Sequence, residues 1–401
     1  YTIIWESSDP DTITSDGKVT RPETGKKNVT LTATITFDNK VLTRTFDAVV
    51  KGEDYYDMVM NVSDEKGVDI QDNMYGLFFE DINYAADGGL YAELVENRSF
   101  EQESTTTRDG KATAPNPGYP WSAVSGTMEY KQDTPLNENN PTYLEFTGTS
   151  FKNQAYQGMN IEAGKEYKVS FWARSSGYTG TVSAKAQTDS AVAFSGVIAQ
   201  GLTNEWKKYE AVLTAEESVR YSELIIELSS EGTVDFDMIS VMPNDALYGV
   251  FRTDLAERLK ALDPGFLRFP GGCVVEGYDL SDRYQWKNSV GPVEERVQNW
   301  NRWAADTDYP NYNQTLGLGF YEYFLLCEYL ECDPLPVLSV GIPCEYQGGR
   351  YGDGVPVYND DGSYTDEFYQ YIDDAIDLIE FANGGTDTEW GSLRASMGHE
   401  E

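Results

Sequence analysis

Histidine is nearly missing: a single one, His399, stands among 401 residues. A Ser-His-Asp or Cys-His mechanism and a histidine-rich metal centre are thereby close to excluded, so hydrolytic chemistry would have to run on carboxylates. Cysteine is scarce too. Cys273, Cys327, Cys332 and Cys344 match no zinc or haem spacing and read as unpaired core thiols. Cys327 and Cys332, five apart on an expected helix, should point in different directions. Positive charge is in short supply, with 30 Lys+Arg against 67 Asp+Glu, a net charge of −37 and a pI near 4.2. Such a field repels nucleic acid and anionic membrane surfaces and disfavours polyanionic polysaccharides, whereas a neutral polysaccharide is indifferent to it. No apolar run reaches the ~18 residues of a membrane span. The lone Gly317-Leu318-Gly319 is no nucleotide signal. The chain opens on Tyr1-Thr2-Ile3-Ile4-Trp5, already strand-like, so the lack of a visible leader says nothing about export.

Aromatic residues, in contrast, reach 13%, with 28 Tyr and 8 Trp, which argues against disorder. The most informative stretch is residues 75–101. Tyr75–Phe79 is a short apolar run that ends in Glu80-Asp81, where a buried strand would emerge. Burying a carboxylate costs several kcal/mol unless it is paired, so an acid pair at a strand exit hints at a site. Asp87-Gly88-Gly89 makes a permissive corner, and the stretch closes on Asn97-Arg98-Ser99-Phe100-Glu101.

Taken in order, residues 1–52 read as β. Val29, Leu31, Ala33, Ile35 and Phe37 alternate with threonines, Asp38-Asn39 turns the chain, and Val41–Val50 returns it. The Asp9, Asp11 and Asp16 set departs from the EF-hand pattern and is not read as a calcium loop. Residues 53–103, opening with a strand at Met58–Val62, begin a second domain. From 104 to 243 the texture becomes short alternating strands such as Lys165–Ala173, Tyr221–Leu228 and Val234–Met242, a β-sandwich pattern. Residues 244–401 alternate strands and helices, which means a parallel sheet. Asp254–Leu262 is helical with Thr253 as N-cap, Phe266–Phe269 is a strand, and a loop carries Trp286, Trp300 and Trp303. Leu318–Leu330 is helical, Leu335–Val340 a strand, and Asp366–Ala382 an amphipathic helix through Phe368, Ile372, Ile376 and Ile379.

Residues 75–101 together with Phe266–Gly277 (FLRFPGGCVVEG) resemble glycoside hydrolase family 51, the α-L-arabinofuranosidases. Residues 1–52 resemble a bacterial Ig-like β-sandwich module lacking its first strand. Residues 104–243, through Asn160–Tyr167, Phe171–Arg174 and Glu205–Tyr209, resemble a family 4/9-type carbohydrate-binding module. The resemblance implies a multidomain α/β chain: a partial TIM (β/α)8 barrel over 53–103 and 244–401, interrupted by a jelly-roll insert. Trp121, Trp172 and Trp206 are either sugar platforms of that insert or its core.

The bare sequence offers Glu80 or Asp81, Glu276 and Glu345 at strand exits, enough for a two-carboxylate glycosidase mechanism. The resemblance implies otherwise. It places the acid/base and nucleophile beyond residue 401, so residues 1–401 alone are expected to be inactive. Glu80 matches the family's sugar-binding glutamate, and Arg268 matches the arginine that fixes active-site carboxylates, with a salt bridge to Glu80 as the plainer alternative. Cys273 stands where other members have a sugar-contacting asparagine, and Gly271-Gly272 would admit ligand close to the backbone. The activity implied is retaining removal of terminal α-L-arabinofuranosyl residues from a neutral plant polysaccharide or arabino-oligosaccharide. No cofactor or metal is implied, and the modules suggest a bacterial extracellular or cell-surface setting. Rival readings are another glycanase of the same clan (a xylosidase or endoglucanase), a non-catalytic sugar-binding surface protein, or a structural or adhesive one.

Overall fold

The computed structural model describes residues 1–37, 40–55, 67–102, 118–306, 312–344 and 354–400. The expected strand Met58–Val62, the turn Asp38-Asn39 and the candidate Glu345 lie outside the described residues. The chain divides into two compact units, Tyr1–Asp69 and Ile70–Glu401.

The first unit is an antiparallel meander of β1 (Thr2–Ser7), β2 (Lys26–Phe37) and β3 (Lys40–Lys51). Alternation puts Val29 and Ala33 on one face, where Val29 and Val50 pack with Ile13 into a small core. The expected sandwich is reduced, among the described residues, to this single sheet. Residues 8–25 form turns and one isolated bridge, Ile13 to Val19, instead of further strands. Trp5 and Phe46 therefore remain exposed, their rings 5.6 Å apart.

The second unit starts with β4 (Leu77–Phe78), shorter than its apolar run, and then enters a β-sandwich. Its strands are β5 (Trp121–Lys131), β6 (Tyr143–Asn153), β7 (Met159–Ile161), β8 (Glu166–Arg174), β9 (Thr181–Gln187), β10 (Val192–Gln200), β11 (Lys207–Thr214) and β12 (Val219–Pro243). The two strands expected near 221–228 and 234–242 are one, β12, bulged between Glu227 and Gly232. Its first half pairs with β9 and its second with β8, while β6 runs beside both halves. One long strand thus serves both sheets by bending. At the bend Gly126 of β5 faces Gly148 of β6, and a Cβ on Gly148 would lie 2.3 Å from the Ser125 carbonyl oxygen. Phe146, Phe151, Phe171 and Phe236 fill the space between the sheets. Trp121 belongs to this core, against Phe100 and Phe151, which removes it as a sugar platform.

After the sandwich come α1 (Thr253–Lys260), β13 (Phe266–Phe269), α2 (Cys273–Glu276), the short pair β14 (Asn299–Trp300) and β15 (Asn313–Gln314), α3 (Phe320–Leu330), β16 (Asp333–Pro336), α4 (Asp366–Asn383) and α5 (Glu389–Ser396). β4, β13 and β16 form a parallel sheet in that order, with β13 central. One face buries Leu267 and Phe269 against α3, where Phe269 stacks on Tyr323 at 4.9 Å. The register places Phe78, Arg268 and Leu335 side by side on the other face.

Four sequence expectations change here. Thr253 is the first helical residue of α1, not its cap. Arg252 holds the cap position, and the Thr253 hydroxyl donates to the Asp245 carbonyl. The strand expected at Leu335–Val340 is Asp333–Pro336, because the chain leaves α3 through Glu331 in a left-handed conformation and pairs at once with Phe266. That same turn brings Cys332 back onto Cys327, the Cys332 N–H donating to the Cys327 carbonyl at 3.1 Å, so these thiols converge. In α4 the buried side chains are Tyr371, Leu378 and Phe381, while Ile376 and Ile379 are 57% and 65% exposed. Two apolar stripes compete on that helix, and the aromatic one, nearer Trp286 and Phe324, is buried.

Candidate active site

The site is built where β4 and β13 end. Glu80 follows β4 by two residues, and its Oε1 accepts the backbone N–H of Val274 at 2.9 Å and the indole N–H of Trp303 at 3.2 Å. Its Oε2 receives no hydrogen bond among the described residues and lies over Gly272, 3.8 Å from where a Cβ would stand. One carboxylate oxygen is therefore anchored and the other is left to accept. Gly271 is closer still: a Cβ there would meet Glu80 Cγ at 2.7 Å. Of the two glycines, Gly271 makes room for the Glu80 side chain, whereas a β-carbon at Gly272 would meet its second oxygen only in ordinary van der Waals contact.

Asp81, the next residue, points inward and is fully buried. It accepts from the Ala86 N–H at 3.0 Å, the Tyr312 hydroxyl at 2.6 Å and the Asn301 side-chain amide at 3.2 Å. Burial, reinforced by the neighbouring Asp87 carboxylate, pushes its pKa up to about 7 against those three donors. Asn301 also donates to the Asp81 carbonyl, and its own carbonyl oxygen accepts the Trp303 backbone N–H at 2.8 Å. A continuous chain thus runs from Asp81 through Asn301 and Trp303 to Glu80. Asp81 positions; Glu80 is presented.

Arg268 is half-buried on the open face of the sheet, its guanidinium 4.4 Å from the Phe78 ring centroid. The expected salt bridge to Glu80 is not made: among the described residues Arg268 has no ion pair, because the cation lies on the ring. Cys273 opens α2 beside Glu80. Burial and then the adjacent Cys344 thiol push the Cys273 pKa up to about 12, so it is a neutral thiol. Glu276, expected at a strand exit, instead ends α2, with its carboxylate near both thiols.

A second polar knot ties this region to the sandwich. Residues 92–100 run beside the end of β12, with the Leu94 N–H donating to Val241 and the Ile239 N–H to Arg98. Buried Glu93 accepts from Ser240 and Val241 and pairs with buried Arg98 at 3.6 Å. Sequence reading assigned nothing to Glu93, Asn301, Trp303 or Tyr312. The dense Asn299-Trp300-Asn301-Arg302-Trp303 run was the only local signal.

On the sandwich itself, Trp206 carries Arg174 over its ring at 4.4 Å, and Tyr143 meets it edge-on at 5.5 Å. A polar cleft of about 520 Å³ opens alongside, lined by Glu145, Arg174, Tyr178, Asn204 and Asp235. Trp172 lines a different cavity, of about 300 Å³, with Tyr91, Arg98 and Met238.

Residues 258–401 match the Alpha-L-arabinofuranosidase 1 domain, residues 92–233 a carbohydrate binding domain of the 4/9 type, and residues 1–53 an atrophied bacterial Ig domain. The family 51 resemblance holds. The chain is similar to an extracellular exo-alpha-L-arabinofuranosidase of Streptomyces chartreusis, at 40% identity over 88% of this chain and 42% of the relative. It is also similar to alpha-L-arabinofuranosidase 1 of Arabidopsis thaliana, at 34% identity over 85% of this chain and 49% of the relative. Among solved structures, an arabinose-bound family 51 α-L-arabinofuranosidase superposes with a TM-score of 0.68 at 28% identity, covering 82% of this chain and 52% of that one. The chain spans about half the length of the curated relatives it matches.

Proposed function

We propose that this chain is the sugar-binding half of a retaining exo-α-L-arabinofuranosidase that removes terminal arabinofuranosyl side chains from a neutral plant polysaccharide such as arabinoxylan or arabinan. The observation that carries the reading is the half-satisfied Glu80 carboxylate: Oε1 held by two N–H donors, Oε2 open above Gly272. An anchored carboxylate with one free oxygen is suited to accept hydroxyl groups of a furanose, a charge-assisted bond stronger than a neutral one. Cys273 lies beside it, Arg268 rests on the Phe78 ring of the preceding strand, and Gly272 would let the ring approach the backbone.

The parallel order β4-β13-β16, with helices on one face, supports a finer reading of the fold as the first strands of a (β/α)8 barrel. On that reading Phe78, Arg268 and Leu335 line the barrel interior, and Glu80, just past a strand's C-terminal end, stands where barrel enzymes keep their chemistry. The acid/base and nucleophile are assigned to sequence outside residues 1–401. One Glu80 oxygen is held by two N–H donors, and the Glu276 carboxylate is gathered with the Cys273 and Cys344 thiols. The carbohydrate-binding-type insert and the extracellular relative favour a secreted bacterial protein acting on a polymer.

The test is substrate choice by a chain extended to the length of its relatives. It should hydrolyse an aryl α-L-arabinofuranoside and leave the β-D-xyloside and β-D-glucoside untouched. Preference for either of those would move the assignment to another glycanase of the clan.

A further inference from the structure

We propose that Cys273, Glu276 and Cys344 form a binding site for a thiophilic divalent cation of the zinc class. Their donor atoms, two Sγ and one carboxylate oxygen, all lie within 4.8 Å of one another. A zinc-type ion with bonds of about 2.0–2.3 Å holds tetrahedral donors roughly 3.5 Å apart, so modest side-chain rotation closes the set. The backbone already holds it in place. Cys273 and Glu276 are three apart on α2 and so share a face, while Val274 and Val275 turn into the core. Gly277 ends α2, its N–H donating to the Cys273 carbonyl, and its own carbonyl accepts the Cys344 N–H at 3.1 Å. That bond brings Cys344, a residue distant in sequence and only 1% exposed, against the helix. Apolar packing would not gather a half-buried carboxylate with two thiols, whereas metal binding would release both thiol protons to solvent, and the resulting two thiolates and carboxylate would outweigh a dication and leave a fourth position for water. The convergence is invisible in the linear spacing, because the ligands come from two segments that meet only in the fold. The inference shares Cys273 with the sugar-site reading, and a metal-binding readout that uses no sugar keeps the two tests distinguishable.

The direct probe is cobalt. Reduced, metal-free protein titrated with Co²⁺ should develop thiolate-to-cobalt charge-transfer absorption that saturates at one equivalent and is displaced by Zn²⁺. Cys327→Ala, in the other thiol pair, should bind as the wild type does. Cys344→Ser and Cys273→Ser should lose the charge-transfer band or weaken binding by more than the roughly ten- to hundredfold that outer-shell changes cost, and Glu276→Gln should keep the band with weaker binding. Circular dichroism identifies any variant that fails to fold. Independently, Zn²⁺ should protect the half-buried Cys273 of the wild type, and not the half-buried Cys332, from alkylation read by mass spectrometry. No charge-transfer band with excess Co²⁺, a folded Cys344→Ser that keeps the band and binds Co²⁺ as tightly as the wild type, or Cys273 alkylation indifferent to Zn²⁺ would each overturn the site.

Discussion

At the scale of single residues the site depends on what each neighbour leaves unfilled. Gly271 is the sharpest case, since any β-carbon there collides with the Glu80 side chain. Gly271→Ala should therefore impair sugar binding as strongly as loss of Glu80 itself, with the melting temperature changed less than affinity. Calorimetric titration with L-arabinose, beside a thermal melt, checks both. Buried acids make a second residue-level prediction. Asp81 is pushed up to about 7, Glu96 to about 8 and Asp282 to about 6, each mainly by burial. Unfolded carboxylates titrate near 4, so the folded protein holds extra protons between roughly pH 4 and 8. The stability these groups contribute is complete below about pH 4 and is lost as pH rises through 6 to 8. Melting temperature should fall from pH 5 to pH 8, and Asp81→Asn should flatten part of that slope; a rise over this window would contradict the assignment. Glu80, Gly272, Arg268 and Cys273 were legible as candidates because short motifs survive in linear order. The chain from Asp81 through Asn301 and Trp303 was not, since its members lie some 220 residues apart and only the fold joins them.

Among the elements, the junction between residues 92–100 and β12 shows how the sandwich is fastened to the parallel sheet. Glu93 and Arg98 are both buried, so truncating one strands the other's charge. Glu93→Ala should cost about 3–5 kcal/mol, while the apolar pair Glu93→Met with Arg98→Leu should cost much less. Urea unfolding of the three variants measures the difference, and equal losses would remove the stranded-charge explanation. Gly148→Ala should also destabilise, because its β-carbon would strike the opposite strand at the bend shared by both sheets. Periodicity foretold most strands and helices well. It failed where two patterns competed: α4 offered an isoleucine stripe and an aromatic one, and tertiary neighbours rather than spacing chose between them. It failed again at Cys332, where a single left-handed residue reversed the expected directions of two thiols.

For the whole molecule, the proposed partner is a neutral sugar polymer, a reading that the acidic composition and the carbohydrate-binding-type insert support. The insert's contribution rests on Trp206, Arg174 and the adjoining cleft, since Trp121 is core. The chain should be retarded in gels containing soluble arabinoxylan, and Trp206→Ala should restore most of the lost mobility. Equal mobility with and without polysaccharide would make the insert a spacer. The central claim, that Glu80 holds an arabinofuranose whose bond is cleaved by carboxylates outside residues 1–401, is tested most directly by one kinetic comparison. Hydrolysis of an aryl α-L-arabinofuranoside is measured for a chain extended to its relatives' length, for the same chain with Glu80→Gln, and for residues 1–401 alone. The account predicts turnover by the first, a roughly ten- to hundredfold lower kcat/KM for the second, from loss of a charge-assisted bond of about 1.5–3 kcal/mol, and none for the third. Wild-type kinetics in the Glu80→Gln enzyme, or comparable turnover by residues 1–401 alone, would contradict it.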